Sequence, residues 1–405
     1  MPRKSIVAYL TALVCVSPLA GQSSTTAFIN ANVIDPVLGA AMGRMVVVED
    51  GKITYVGSDR RAAPEGATIV NLNGRYVLPG LIDAHVHIGN FASARRALRS
   101  GVTTARSMGV SHFVDIGLRE LGREGSIETP EILAAGYHVR PSPADELFMD
   151  APDMADLRGN VRGEEAMRRM ARFMISRGVD FIKTNATQRA GLPETDPREP
   201  FYNEQELAAL VDEAMQAGVP VAAHAHGDGG ARAAVLAGVR SIEHGTYLSG
   251  ETMDLMVERG TFLAPTIAVV ADLTMPGGDY DNAVLNVRGR HMLPRVREMA
   301  ARAHAKGVRI VSATDTGYGP ESVLRLSHEL MELVNVGLSP LEALRAATTT
   351  AAALLEIDDR VGQVAVGFEG DLLVLERNPL EDIGAFQDVL LVMNNGTIVV
   401  DRTEF

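Results

Sequence analysis

Short apolar runs alternate with amphipathic stretches along most of this chain. Eight runs read as β-strands: 81–87 (LIDAHVH), 102–108 (VTTARSM), 131–137 (EILAAGY), 181–186 (FIKTNA), 221–226 (VAAHAH), 241–246 (SIEHGT), 262–267 (FLAPTI) and 309–316 (RIVSATDT). Stretches with helical spacing separate them. EEAMRRMARFMISRGV and NEQELAALVDEAMQAGV each end in a glycine that leads into the next strand. Apolar strands flanked by helices predict a parallel sheet, and eight strands are what a (β/α)8 barrel needs. A doubly wound open sheet is the competing α/β fold. It ranks lower because no glycine-rich nucleotide loop follows the first strand.

The two ends have a different rhythm. AFINANVIDPVLGAAMGRMVVVEDGKITYVGS near the start, and GDLLVLERNP and VLLVMNNGTIVVDR near the finish, are short β-type runs broken by turns such as Asn394-Asn395-Gly396. The expected fold is therefore α/β: a (β/α)8 TIM-like barrel over 80–359, with a small β-sandwich domain formed from both termini (26–79 and 360–405). Two stretches resist the strand–helix scheme, 138–162 after the third strand and 187–202 after the fourth. Long loops at these positions cover barrel active sites.

The first residues form a unit of their own. Arg3 and Lys4 precede an apolar run from Ile6 to about Ala20, the layout of a secretory signal peptide spanning 1–21. Cleavage near Ala20 or Gly21 would leave a secreted or periplasmic chain, and an uncleaved anchor is the alternative. The single cysteine, Cys15, lies inside this segment, so disulfides play no part in the mature chain. A net charge of −13 argues against nucleic acid as a partner.

Candidate chemistry gathers at the ends of the predicted strands. In LPGLIDAHVHIG, His85 and His87 alternate with an aliphatic residue, so they point the same way from one strand. His224 and His226 end the fifth strand, His244 lies near the end of the sixth, and Asp315 ends the eighth. Imidazoles with a carboxylate suit zinc and similar divalent ions, and no thiolate is available. Alternation leaves both His224 and His226 open as ligands. Lys183 stands within the apolar fourth strand, where a charge is costly. Burial could lower its pKa, an acid could pair with it, or carbon dioxide could convert it to a carbamate. His138 follows the third strand and Tyr247 the sixth, both placed to face a substrate. His112, His291, His304 and His328 read as surface or packing residues, and the methionines of the helices as core.

LPGLIDAHVHIG, GVTTARSMG, GVDFIKTNA, VAAHAHGDGG, GVRSIEHGTYL, IVSATDTG and the closing LSPLEALRAATTTAAALLEIDDRVGQVAVGFEGDLLVLERNPLEDI together resemble the amidohydrolase superfamily. The likeness is to its metal-dependent prolidase and imidazolonepropionase-like branch, and it covers almost all of the mature chain. It implies two divalent ions, with zinc expected. His85 and His87 would bind the first, and His224 and His244 the second. Lys183 would be the carboxylated bridge, and Asp315 would bind the first ion and handle protons. It further implies hydrolysis of an amide or peptide bond by a metal-bridging hydroxide, in dipeptides, N-acyl amino acids or ochratoxin-like amides. His226, His138 and Tyr247 would contact substrate. Arg140, Arg158, Arg162, Arg189 and Arg198 offer partners for a substrate carboxylate. The chain departs from the pattern at Ser107, where many members carry an acid, and after Lys183, where TQRAGLP replaces a glycine-rich run. The alternatives are a cyclic amide or lactone hydrolase on the same site, or a periplasmic metal-binding protein without turnover. Expected partners are a small-molecule amide or dipeptide, no nucleic acid, no membrane once the signal is removed and, as an open option, further copies of the chain in a homo-oligomer.

Overall fold

The computed structural model describes residues 25–192 and 194–404. The signal-peptide expectation therefore lies outside the described residues. Both ends of the described chain build one eight-stranded sheet. Its order is Thr397–Asp401, Val389–Asn394, Leu372–Leu375, Tyr76–Pro79, Thr25–Asp35, Gly39–Glu49 and Lys52–Gly57, with Thr68–Asn71 also paired to Thr25–Asp35. Leu373 opposite Leu78 marks the seam between the two halves. The expected hairpin turn forms at Asn395-Gly396, where φ is 46° and 77°. Two consecutive positive φ values match the twist of the flanking strands, and glycine adopts the second without strain.

Between these halves the strands are parallel and alternate with helices. Leu81–Val86, Val102–Ser107 and Glu131–Ala134 form one sheet, and six further strands from His138–Val139 to Arg309–Ile310 form another. The two sheets are linked at one side by Asp180 N donating to Ala134 O at 2.9 Å. At the other side, Asp315 N donates to His85 O at 2.7 Å and His87 N to Thr316 O at 2.9 Å.

Three predicted strands end earlier than their apolar pattern suggested. The third breaks at Gly136 (φ 66°) and resumes at His138. The seventh stops at Ala264, because Thr266 turns left-handed (φ 50°) and the helix Ile267–Asp272 begins. The eighth pairs regularly only over Arg309–Ile310, then runs on to Asp315 at φ 55°. In all three the chain passes into left-handed backbone, at Gly136, Thr266 and Asp315.

The helices follow their spacing closely. Glu204–Gln216 starts at Asn203, whose side chain accepts from Glu206 N while the Glu206 carboxylate accepts from Asn203 N. Glu164–Ser176 buries Met167, Met170 and Met174 as packing residues. The aperiodic stretch 138–162 folds into the short helix Asp145–Asp150 and a 3-10 turn, anchored by buried Leu147, Phe148, Met154 and Leu157. Among the described residues, no helix is long and apolar enough to cross a membrane.

Candidate active site

One cavity of about 160 Å³ is lined by His85, His87, His138, Lys183, His224, His226, His244 and Asp315. Eight side chains singled out from the sequence thus meet in one place, drawn from six separate strands and the segments just beyond them. Tyr247 lies outside that lining, half-buried, with its ring 6.4 Å from that of His291.

Hydrogen bonds at the back of each ring decide which nitrogen faces the cavity. His87 Nδ1 lies 2.8 Å from Gly109 O, and His224 Nε2 lies 3.2 Å from Gln188 O. A carbonyl only accepts, so each of those nitrogens carries a proton, which in a neutral ring leaves the opposite one with a lone pair. The same logic applies to His85, whose Nδ1 lies 2.9 Å from a Glu243 carboxylate oxygen. The Nε2 atoms of His85 and His87 converge on Asp315 Oδ1 at 3.4 and 3.1 Å. His226 and His244 rest their Nδ1 atoms on the hydroxyls of Thr246 and Thr266, at 2.9 and 2.8 Å.

Two sets of potential ligand atoms lie within 4.8 Å of one another: His224, His226 and His244; and His85, His244 and Asp315. The rings of His224, His226 and His244 sit 4.6 to 4.8 Å apart. The geometry brings His224 and His226 equally close to His244 and does not separate them as ligands.

The electrostatics favour neutral imidazoles beside a charged carboxylate. Burial, with the nearby Lys183 charge, pushes His85 down to about 4, and burial takes His226 to about 3. Burial also holds His138, His224 and His244 well below the usual histidine range. Burial alone would raise the Asp315 carboxyl, but His85, His87 and Lys183 together outweigh it and hold it well below the ordinary carboxylate range. Lys183 is 1% exposed, its Nζ has no hydrogen-bond partner, and burial lowers it to about 8. An unpartnered amine beside neutral, lone-pair-bearing rings is an arrangement that a cation would complete. The donor set therefore fits divalent metal.

Sequence reading did not single out the supports behind these residues. Glu243 accepts from His85 and from Arg106 Nη2 at 2.9 Å, and Arg106 also donates to Ala84 O at 2.7 Å. Burial would raise Glu243, yet Arg106 and His85 bring it down to about 2. Asp83 accepts from Thr314 N, Thr314 Oγ1 and Tyr318 Oη, tying the strand of His85 to the segment of Asp315. The available signal was a charged residue inside each apolar run: LIDAHVH, VTTARSM and SIEHGT.

Of the five arginines considered, three are already engaged. Arg158 pairs with Asp145, Arg162 donates to Phe201 O, and Arg198 grips Asp196. Arg189 lines the cavity, and with Arg140 it lines an adjoining one of about 290 Å³. Among the described residues, neither guanidinium has a hydrogen-bond or ion-pair partner. The other wall is apolar, formed by Val269, Val270, Leu273, Leu285 and Met292.

The model of the amidohydrolase family matches residues 76–399, the span that carries every one of these side chains. The chain belongs to the amidohydrolase family. Ochratoxinase from Aspergillus niger is 27% identical over 400 residues, covering 87% of this chain and 81% of that protein. A crystal structure of a Xaa-Pro dipeptidase with bound methionine in the active site superposes with a TM-score of 0.82 at 27% identity, covering 93% of this chain and 100% of that one. A prolidase complexed with N-methylphosphonate-L-proline gives 0.81 at 28% identity, covering 93% and 100%. This amidohydrolase is thus a hydrolase acting on carbon–nitrogen bonds, and the alternative of a metal-binding protein without turnover is set aside.

Proposed function

We propose that this amidohydrolase cleaves the amide or peptide bond of dipeptides or N-acyl amino acids at a centre of two divalent ions, zinc being the first to test. The observation that carries the reading is the buried, unpartnered Lys183 Nζ among neutral imidazoles and the Asp315 carboxylate. In this reading His85, His87 and Asp315 would hold one ion and His224 and His244 the other, and Lys183, as its carbamate, would add a carboxylate-like ligand. The chemistry such ions would supply is a lowered pKa for bound water and polarisation of a carbonyl.

The rest of the work falls to the protein. Gly109 O, Gln188 O and Glu243 keep three rings in the tautomer that leaves a lone pair forward. Asp315, kept ionised by its neighbours, takes the proton of the attacking water and passes it to the leaving amine. His138 and His226 contact the substrate. The free guanidiniums of Arg189 and Arg140 anchor the substrate carboxylate, and the apolar wall takes the group on the other side of the scissile bond. Bound methionine in one neighbour and a proline derivative in another support a carboxylate-bearing ligand.

We further read 80–359 as a closed (β/α)8 barrel, supported by the hydrogen bonds between 84–87 and 312–316. We read the terminal sheet, wrapped around its own apolar cluster, as a sandwich. Residues 1–21 are read as an export signal, which makes the mature enzyme secreted or periplasmic.

The test pairs metal stoichiometry with hydrolysis of a panel of dipeptides, N-acyl amino acids and their C-terminal amides. Two zinc ions per chain and cleavage that falls when the carboxylate is amidated are expected. Arg189→Ala should raise KM about tenfold or more for the free acids while kcat changes little. Zinc-supplied protein that holds no metal sinks the reading.

A further inference from the structure

Glu329 lies on the helix Leu326–Asn335, outside the lining of the cavity, and is fully buried. Its carboxylate accepts from Ile267 N at 3.0 Å and Ala268 N at 2.6 Å, and no cation pairs with it among the described residues. Burial pushes this carboxyl up to about 8, and the two backbone amides it holds offset part of that rise. Those amides belong to the turn that begins at Thr266. Thr266 is β-branched and left-handed at φ 50°, a conformation that needs support from its surroundings. Its hydroxyl is the partner of His244 Nδ1 at 2.8 Å. The helix that follows, Ile267–Asp272, carries Val269 and Val270 of the apolar wall. One turn further along the same outer helix, Glu332 grips Arg297 at 2.6 Å on the long helix Ala283–Lys306, which supplies Met292 to that wall.

We infer that Glu329 is a positioning residue for the reaction. It clamps the strained turn at Thr266, and the turn in turn sets the His244 ring and the apolar wall beside it. The inference rests on the reading of His244 as a metal ligand. Second-layer partners of ligating histidines change metal affinity by 10- to 100-fold. Glu329→Gln keeps size and shape but presents an amide donor to one of the two N–H groups.

The experiment measures zinc affinity of the full chain by competition with a chelator, together with kcat and KM on the best substrate of the panel. The variants are Glu329→Gln, Thr266→Ala, Thr266→Ser and the double Glu329→Gln/Thr266→Ala. Glu329→Gln and Thr266→Ala should each weaken zinc binding about tenfold or more, and Thr266→Ser, which keeps the hydroxyl, should stay near wild type. The double variant should be little worse than the poorer single, since both act through one hydrogen bond. Glu329→Gln with wild-type zinc affinity, or fully additive losses, overturns the inference. If Glu329→Gln does not fold, the Thr266→Ala and Thr266→Ser pair decides: equal zinc affinity in the two overturns it. Wild-type protein that takes up no zinc overturns both this inference and the reading beneath it. Wild-type uptake with an indifferent Glu329→Gln overturns this one alone.

Discussion

Lys183 places its amine in the cavity, near the Glu243 and Asp315 carboxylates but hydrogen-bonded to neither. It has no hydrogen-bond partner, its burial shifts it toward the neutral form, and the neutral amine is the form that reacts with carbon dioxide. Lys183→Ala should therefore reduce turnover by roughly a hundredfold or more, and short carboxylates such as acetate or propionate should restore part of it. Absence of rescue at any concentration speaks for an unmodified lysine. Asp315→Asn should keep fold and metal but lower kcat by ~10²–10⁴, the usual contribution of a positioned acid–base group. Near-normal rates at equal metal content would take proton transfer away from Asp315. At this scale much was legible, because alternation in a strand places His85 with His87 and His224 with His226 on one side. The supports were not legible, since Glu243 lies 158 residues from His85 and 137 from Arg106, and spacing says nothing about pairs that far apart.

Between elements, the Arg106–Glu243 pair crosses the interior and ends on His85. Both partners are buried, so removing one leaves an uncompensated charge. Arg106→Met should destabilise the chain by ~3–5 kcal/mol, read from denaturant unfolding. Adding Glu243→Gln should recover much of that loss, because the orphaned carboxylate is then gone; a double variant worse than the single would refute the pairing argument. The elements themselves were read well from their apolar periods, and the errors fell at strand ends. His244, Thr266 and Asp315 all take left-handed backbone without being glycine. Local residue type gives no warning of such a bend when the fold, not the residue, imposes it.

At the scale of the whole molecule, the terminal sheet meets the parallel strands at Asp371, whose carboxyl is hydrogen-bonded by Thr103. Its carboxyl accepts from Asn395 N at 2.6 Å, and burial, with Glu369 and Glu131 nearby, pushes it up to about 7. Arg360 is taken up by those two glutamates. A carboxyl whose folded pKa exceeds its ordinary 3.8 binds more protons folded than unfolded between those values, so its contribution to stability is lost as pH rises through that window. Asp371→Asn lacks this loss. Its thermal midpoint relative to wild type should therefore climb by a few degrees from pH 5 to pH 8, measured by calorimetry in matched salt. A constant or falling difference would mean Asp371 ionises freely. The β-type character of the two ends was legible because they lack helical spacing, whereas the order of strands in their shared sheet depends on contacts between residues three hundred positions apart.

That separation governs when the molecule can finish itself. The strand Tyr76–Pro79 cannot meet Leu372–Leu375 until nearly the whole polypeptide has been made. Until then the edge of the early strands stays unsatisfied, and completion is slow because the loop to be closed is so long.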